Sequence, residues 1–398
     1  MRGANPFRGR KQRDIREHNS VTILKLIRDH GPLSRSDVVT RTRLSKATVS
    51  ILIREFEAMG VVVAAGAGEA QTGPKPRLLK FKRDFRYVVG IDLSDVRFEA
   101  GLVDLKGELY GEPIYGSTVG TTDLLGTVCP EIDQLLALAK RRGLQVGGIG
   151  VAISGLVDSE RGIVHKSTVF DVVNLPLQAE LELRYRLPVR IDGDVNVRLV
   201  AEQDRDQADW SGRNVVYCYI GTGVGAGLFL NGDIYRGTSG LVGEIGHIPV
   251  MADGRLCACG RRGCLETVAS WPALLRRAQE LGFRGTSPED VAKGAQEGDV
   301  CARQACQEMA DHLSMGLAAL VNLLNPDLIL VGGEIAAYPG VFYPLLRKSL
   351  HQRSLEPAAS QAELRLAGMH AHTGVSGTAG LLLPVILEGL TPYSNSLG

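Results

Sequence analysis

The sequence predicts an α/β protein in which a small basic head precedes a larger acidic body built from two similar lobes. Residues 1–86 carry 19 Lys and Arg against 8 Asp and Glu, a net charge of +11, and the remaining residues carry −10. Apolar residues recur at helical spacing in the head, and the body repeats a strand pattern after about 125 residues. Hydrophobic content is 44%, and no apolar run reaches the roughly 18 residues of a membrane span. We therefore expect a cytoplasmic protein.

Two short helices are predicted at the start of the head. Apolar residues recur at helical spacing over Asn19–His30, and Gly31-Pro32 ends that helix. Ser34, with Asp37 three residues later, is typical of a capping box that begins a second helix running to about Arg41.

A third helix is predicted over Lys46–Met59, with Ser45 as its N-cap and Gly60 at its end. Its apolar stripe would face the core and consists of Val49, Leu52, Ile53 and Phe56. The second and third helices, joined by about three residues, form a helix-turn-helix, whose last helix lies in the major groove of DNA. The predicted DNA contacts of this unit are Ser45, Lys46, Ala47, Thr48, Ser50 and Arg54.

A β-hairpin with a basic rim follows, with strands at Val61–Val63 and Leu78–Phe81. Lys75 and Arg77 on this wing are predicted to contact DNA phosphates. A three-helix unit could also dock a protein, but a net charge of +11 favours DNA. Helix-turn-helix proteins usually read palindromic sites as two-fold dimers, so we expect a homodimer or a dimer of dimers on a double-stranded operator. Residues 1–86 are assigned to this winged domain and its linker.

The body has the pattern of a duplicated α/β lobe with a cleft between its halves, which is the actin-like, duplicated RNase H-like architecture of sugar kinases. We assign residues 87–200 to the first lobe, completed by the C-terminal helix 376–390, and residues 201–375 to the second. The predicted strands are Tyr87–Leu93, Arg97–Val103 and Glu108–Ile114, then Val215–Ile220, Ala226–Leu230 and Asp233–Arg236. The predicted helices are Asp123–Arg141, Trp271–Leu281 and Val300–Leu324.

The glycine-rich turn Gly221-Thr-Gly-Val-Gly-Ala-Gly227 is not a dinucleotide fingerprint, because a strand follows where that motif needs a helix. Its backbone N–H groups could still bind a phosphate or a hydroxyl. It could equally be a tight hairpin, and the spacing alone leaves both interpretations open.

Three of the seven cysteines lie within eight residues: Cys257, Cys259 and Cys264, preceded by His247. Three thiolates and one imidazole are the ligand set of a closed, four-coordinate zinc site. In extended backbone Cys257 and Cys259 would leave the same face. The odd number of cysteines and the absence of a secretory signal argue against a disulfide. We therefore expect one structural zinc ion per chain.

The head, the lobes and the cysteine segment together resemble the ROK family, which groups sugar-responsive repressors with sugar kinases. Nearly the whole chain is covered, and the regulator branch with N-acetylglucosamine, glucose and xylose repressors is the most similar. The most specific part is Gly243-Glu-Ile-Gly-His247 followed by Cys257–Glu266. Supporting segments are Gly150–Gly155, Leu187–Asn196, Asn322–Asp327 and Gly332-Gly333.

The resemblance implies roles for the site residues. Zinc would be held by His247, Cys257, Cys259 and Cys264. The sugar would face Glu244, His247 and Glu266, and Asp194 stands where the kinases deprotonate the accepting hydroxyl. Ser154, Gly155 and Asn174 fall where the family lines the same pocket.

Two departures separate the chain from the family's kinases. The kinases carry an Asp-x-Gly-Gly-Thr turn beside the ATP phosphates, and this chain has Asp92-Leu-Ser-Asp-Val96 instead. The added charge of Asp95 would cost about 4 kcal/mol per phosphate charge at a separation of about 4 Å. Gly193 also replaces the Asn that usually precedes the catalytic Asp, so one sugar contact would be lost or moved.

We therefore expect a non-enzymatic, sequence-specific DNA-binding repressor of carbohydrate uptake or metabolism genes. A small sugar or sugar derivative in the zinc-braced cleft would control its DNA affinity. The alternatives are an ATP-dependent sugar kinase with a DNA-binding head and a regulator that is sequestered by a sugar transporter component.

Overall fold

The computed structural model describes residues 12–67, 75–94, 97–117, 123–167, 170–206, 210, 212–368 and 370–390. Asp95 and Val96 of the altered phosphate turn lie outside the described residues. Within the described part the chain forms four sheets, one in the head and three in the body.

The head forms the winged helix-turn-helix that the sequence predicts. The N-caps predicted for the second and third helices are both present. The backbone N–H of Asp37 donates to Ser34 Oγ at 3.2 Å, and that of Thr48 donates to Ser45 Oγ at 3.1 Å. The first helix begins seven residues earlier than predicted, and its polar first turns are tied to the third helix by an Arg16–Glu55 ion pair. The elements are α1 Gln12–His30, β1 Leu33–Ser34, α2 Arg35–Thr42, α3 Lys46–Met59, β2 Val62–Ala67 and β3 Arg77–Phe81.

The first lobe is built on a mixed five-stranded sheet, with a small three-stranded sheet, β8 to β10, beside it. The strand predicted over Glu108–Ile114 is wrong. Leu109 makes only an isolated antiparallel bridge to Val103 of the neighbouring strand; Gly111 then takes a left-handed φ of 77° and Pro113 has no N–H to donate, so a continuous ladder begins only at Ile114. The elements are β4 Tyr87–Leu93, β5 Arg97–Asp104, β6 Ile114–Ser117, α4 Leu124–Arg142, β7 Val146–Ile153, β8 Leu156–Asp158, β9 Ile163–Lys166, β10 Val173–Leu175, α5 Leu177–Tyr185, β11 Val189–Gly193 and α6 Asp194–Arg205.

The second lobe has a five-stranded sheet covered by a group of helices, among which α10 is the longest helix described. Its apolar cluster runs from Val216 and Cys218 of the sheet to Leu313 and Leu317 of that helix. The elements are β12 Val215–Ile220, β13 Val224–Leu230, β14 Asp233–Ile234, α7 Glu266–Ala269, α8 Trp271–Glu280, α9 Pro288–Glu297, α10 Val300–Leu324, β15 Leu328–Gly332, α11 Pro339–Arg353, α12 Ala358–Gln361, β16 Glu363–Leu366 and α13 Thr373–Gly389.

The two large sheets share one topology, which confirms the duplication that the sequence predicts. In the first, β4 lies between antiparallel β5 and parallel β7, with β6 and β11 at the edges. In the second, β12 lies between antiparallel β13 and parallel β15, with β14 and β16 at the edges. Because parallel strands carry their carboxyl ends to one edge, the loops that follow β4 and β12 both line a cavity between the lobes.

Helix α13 joins the head to the body. It packs against β4 and β7 of the first sheet, against α6, and against α1 of the head. Ile23, Leu24 and Ile27 of the head belong to one buried apolar cluster with Leu382, Leu383 and Ile386 of α13. The predicted boundary between residues 200 and 201 falls inside α6, and the division into 1–86, 87–200 and 201–375 stays a prediction.

Among the described residues, no helix has the length and apolar character that crossing a membrane requires.

Candidate functional site

The outer face of α3 presents most of the predicted DNA contacts to solvent. Lys46, Ala47 and Arg54 are exposed, whereas Ser50 is half-buried. Ile51 is 47% exposed on the same face and was not among the predicted DNA contacts. An exposed Ile on a recognition helix suits contact with a thymine methyl group.

Three predicted contacts also have structural partners within the head. Ser45 Oγ lies 2.9 Å from Thr48 Oγ1 and caps α3, so both hydroxyls are engaged at the start of the helix. Arg77 on the wing lies 3.1 Å from Glu57 of α3, which also binds Arg35 at 2.8 Å. Lys75 is exposed.

His247, Cys257, Cys259 and Cys264 converge, and their ligand atoms all lie within 4.8 Å of one another. Cys259 Sγ is 3.6 Å from Cys264 Sγ, and Cys257 Sγ is 3.6 Å from His247 Nδ1. A zinc ion with bonds of about 2.3 Å to sulfur separates tetrahedral ligands by about 3.8 Å, so these spacings fit the ion. A disulfide would need about 2.05 Å, and all seven cysteines are free.

Two tight turns bring the cysteines together. Cys257 and Cys259 do not share a face of extended backbone, as the sequence analysis expected; Gly260 N donates to Cys257 O at 2.9 Å and closes a turn around them. Gly263 then passes so near Met251 that a Cβ would lie 1.6 Å from its carbonyl oxygen, and its φ is +73°. Only glycine fits there, and the chain can then place Cys264 opposite Pro249 in a β-bridge.

His247 connects the cysteine cluster to the carboxylates. Its Nδ1 faces Cys257, while its Nε2 lies 3.8 Å from Glu244 Oε2. Glu266 begins α7 directly after the cysteine segment and accepts a hydrogen bond from Val224 N at 3.1 Å. The glycine-rich turn is therefore a tight hairpin whose backbone holds Glu266.

Asp194 lies near this group at the N-terminus of α6. Burial raises the pKa of Glu244, with His247 opposing the shift and the nearby carboxylates of Asp194 and Glu266 adding to it. Three acidic side chains and one imidazole thus lie close enough to influence one another, and we call this group the carboxylate wall. Carboxylates accept hydrogen bonds directionally, which suits a ligand rich in hydroxyl groups.

Arg198, which was not among the predicted site residues, is nearly buried, with its side chain 13% exposed. Its guanidinium lies 3.1 Å from Asp92 Oδ2 and 3.3 Å from Asp194 Oδ2, donates to Ser94 Oγ at 3.1 Å, and stacks on Tyr219 at 4.9 Å. Burial alone would lower the pKa of Arg198, but Asp92 and Asp194 raise it. One arginine therefore neutralises the kinase-like base position and the altered turn together.

A cavity of about 280 Å³ adjoins Arg198, between the ends of β4 and β12. Burial raises the pKa of its Asp92 to about 6, against the effect of Arg198. The other lining residues are Ser94, Glu99, Tyr115, Tyr219, Thr222 and Glu334.

The remaining predicted pocket residues lie in the first lobe. Ser154 and Gly155 follow β7, and a Cβ on Gly155 would meet Lys166 O at 2.3 Å, so that position depends on glycine. Asn174 is exposed with a φ of 51°, and its Oδ1 lies 3.0 Å from His165 Nδ1. The hydrogen bonds found among the described residues do not join these three to the carboxylate wall.

Comparison with known proteins agrees with this architecture. A family model described as "ROK family" matches residues 88–384, and one described as "Winged helix-turn-helix DNA-binding" matches residues 16–63. The xylose repressor of Caldicellulosiruptor bescii is 28% identical over 394 residues, which cover 94% of this chain and 97% of that protein.

Solved structures agree as well. A ROK family transcriptional regulator, a homologue of the Escherichia coli Mlc protein, is 27% identical with a TM-score of 0.81 and covers 94% of this chain and 98% of its own. A ROK family glucokinase from Streptomyces griseus, in complex with glucose and AMPPNP, is 28% identical with a TM-score of 0.64 and covers 74% of this chain and 98% of its own. Since the family model spans both lobes, the cysteine cluster and the carboxylate wall, this chain belongs to the ROK family.

Proposed function

We propose that this chain is a sequence-specific DNA-binding repressor of carbohydrate genes whose operator affinity depends on a sugar in the interlobe cleft. The observation that carries this proposal is one chain holding both an exposed recognition helix and a polar group in which Glu244 lies 3.8 Å from His247, with Asp194 and Glu266 nearby. The name of the xylose repressor, which matches along nearly the whole chain, supports the same function.

The effector we propose is a neutral sugar or sugar derivative. Negatively charged ligands would meet three carboxylates in the wall and are disfavoured by charge. Hydroxyl groups would donate to Glu244, Glu266 and Asp194, and His247 would add a ring nitrogen.

The metal we propose is one zinc ion, held by His247, Cys257, Cys259 and Cys264 in a structural role. Four protein ligands complete a tetrahedral shell and leave no position for water. The ion would fix the loops that carry Glu244 and Glu266, each within three residues of a ligand.

A sugar kinase is the second candidate, favoured by Asp194 and by the similarity to a glucokinase. The ion pair between Asp194 and Arg198 argues against it, since the carboxylate is already engaged by a cation and is not free to accept a proton from a substrate hydroxyl. A coupled assay with ATP and a hexose panel separates the two. Turnover that disappears in Asp194→Asn would establish the kinase.

We further propose that the protein acts as a homodimer on a palindromic operator, and in the cytoplasm, where a repressor meets its DNA. Sequestration by a sugar transporter component stays an alternative input, and recovery of a membrane protein with the full chain would favour it.

Operator DNA selected by the full chain from a random duplex library supplies the test of the main proposal. D-Xylose, D-glucose and N-acetyl-D-glucosamine are titrated against the complex, and we expect one of them to change operator affinity by about 5- to 150-fold. Glu244→Gln should weaken binding of that sugar without changing operator affinity in the absence of the sugar. If no simple sugar shifts the complex, the proposed sensing is wrong.

A further inference from the structure

We propose that helix α6 couples the sugar cleft to the DNA-binding head through an ion pair between Asp204 and Arg28. This inference rests on the proposed function and specifies its regulation. Asp194 forms the cleft end of α6, and Asp204 lies near the opposite end of the same helix. Ten residues of α-helix span about 15 Å, so one rigid element reaches both places.

The contact at the head end is buried and bidentate. Arg28 of α1 is 5% exposed; its Nη1 donates to Asp204 Oδ1 at 3.0 Å and its Nη2 to Asp204 Oδ2 at 2.6 Å. Its Nε also donates to the carbonyl oxygen of Leu105 in the body at 3.0 Å. Parallel guanidinium–carboxylate bonds fix orientation as well as distance, so rotation or translation of α6 is transmitted to α1.

A second set of contacts makes α6 move with its neighbour α13. A Cβ on Gly377 would lie 2.1 Å from Val197 O, and one on Gly380 would lie 2.1 Å from Val200 Cγ1, so the backbone of α13 packs directly against the backbone and a side chain of α6. Arg205 at the end of α6 donates to Thr373 Oγ1 at the start of α13. Since α13 packs on α1, a shift of α6 reaches the head by two adjoining routes.

The cleft end is arranged to respond to a ligand. Asp194 shares Arg198 with Asp92 of the first lobe, and Arg198 stacks on Tyr219 of the second. A hydroxyl that binds Asp194 competes with Arg198 for the same carboxylate. The N-terminus of α6 therefore has two alternative sets of partners, which is the bistable element that coupling requires.

Asp204→Asn tests the inference, because it removes the charge and keeps the side-chain size. Arg28 keeps Asp29 and Leu105 O as partners, so the head should stay folded. The coupling ratio is operator Kd with sugar divided by operator Kd without it, measured with the sugar that acts on the unaltered protein. We expect this ratio to move to within about twofold of one, while the sugar Kd of the DNA-free protein changes less than about twofold.

Asp133→Asn is the matched control, since Asp133 forms an exposed ion pair with Arg184 on the first lobe and should leave the ratio unchanged. Arg28→Lys is the second variant, because it keeps the charge but loses the bidentate fork. It should also bring the coupling ratio closer to one. A ratio that survives both Asp204→Asn and Arg28→Lys overturns the inference. Absence of any sugar effect in the unaltered protein instead overturns the proposed function, and the coupling with it.

Discussion

Arg198 has two buried carboxylates as counter-ions, so its removal should leave Asp92 and Asp194 facing each other without a cation. We expect Arg198→Met to destabilise the protein by about 3–5 kcal/mol at pH 7.5. In the unfolded chain both acids ionise near pH 4, whereas burial raises both pKa values in the folded protein. The free-energy cost of ionising these two buried acids in the folded protein therefore grows as the pH rises above about 4, and it reaches its full size above the folded pKa values.

The urea concentrations at the unfolding midpoint, measured at pH 5 and pH 7.5, test the direction of this pH dependence. The loss of unfolding free energy caused by Arg198→Met should be smaller at pH 5, because the two acids regain protons there. Arg184→Met, at the exposed pair with Asp133, serves as the control and should show no such pH dependence. A loss that is equal at both pH values would contradict the assignment of Arg198 as their shared counter-ion.

Cys257 provides the second prediction at the scale of single residues. Cys257→Ser should lower bound zinc from one per chain to a trace and reduce Tm by about 5–10 °C, because the loops around Gly263 lose their crosslink. Elemental analysis and thermal unfolding measure both effects. Cys301→Ser, outside the cluster, should keep the metal and Tm. A metal-free protein with unchanged Tm and operator binding would refute the structural role.

The residues found from sequence and those missed differ for a physical reason. His247 and the three cysteines were recognisable because metal ligands combine rare side chains with short spacing. Arg198 carried no such signal: it follows Asp194 by four residues on a helix and could equally have been a surface i,i+4 pair. Its role depends on Asp92, more than 100 residues away in sequence, and only the packed lobes bring them together.

The elements with strong local signals were predicted best. Ser45 and Gly60 bounded α3 correctly, because capping and a left-handed glycine are local chemistry. The start of α1 depends on the Arg16–Glu55 ion pair with α3, so local periodicity could not reveal it. The strand β6 was misplaced because pairing with β5, rather than local apolar character, sets where it begins.

The recognition helix α3 carries the prediction that belongs to this scale. Arg54→Ala, if Arg54 reads a base, should weaken operator binding by about 1–3 kcal/mol and relax preference at one position. Lys46→Ala should weaken all sequences alike and reduce the salt slope by about 1. Fluorescence anisotropy at several salt concentrations measures both variants. Arg141 is exposed on α4 of the body, so Arg141→Ala should bind operator DNA like the unaltered protein. An equal loss of operator affinity in this control would show that the effects of the α3 variants come from net charge alone.

Charge divides the whole molecule as clearly as its fold does. A head of +11 on a body of −10 favours approach of the head alone to DNA, and the acidic body is repelled from the phosphates. The same division was visible in the sequence, whereas the docking of α1 on α13 and the Arg28–Asp204 contact were not. The first joins the two ends of the described chain, and the second joins residues that are 176 positions apart.

At the scale of the whole molecule, we predict that the functional unit contains two DNA-binding heads, one from each chain of a dimer. A single head reads one half-site, and a two-fold dimer should read two half-sites separated by about 34–36 Å or a multiple of that spacing. Light scattering of the operator complex should give two or four chains per duplex. Cutting the duplex to one half-site should lower affinity by at least about tenfold, because the second contact loses its effective concentration. A 1:1 complex that binds a single half-site as tightly as the full operator would contradict the dimer.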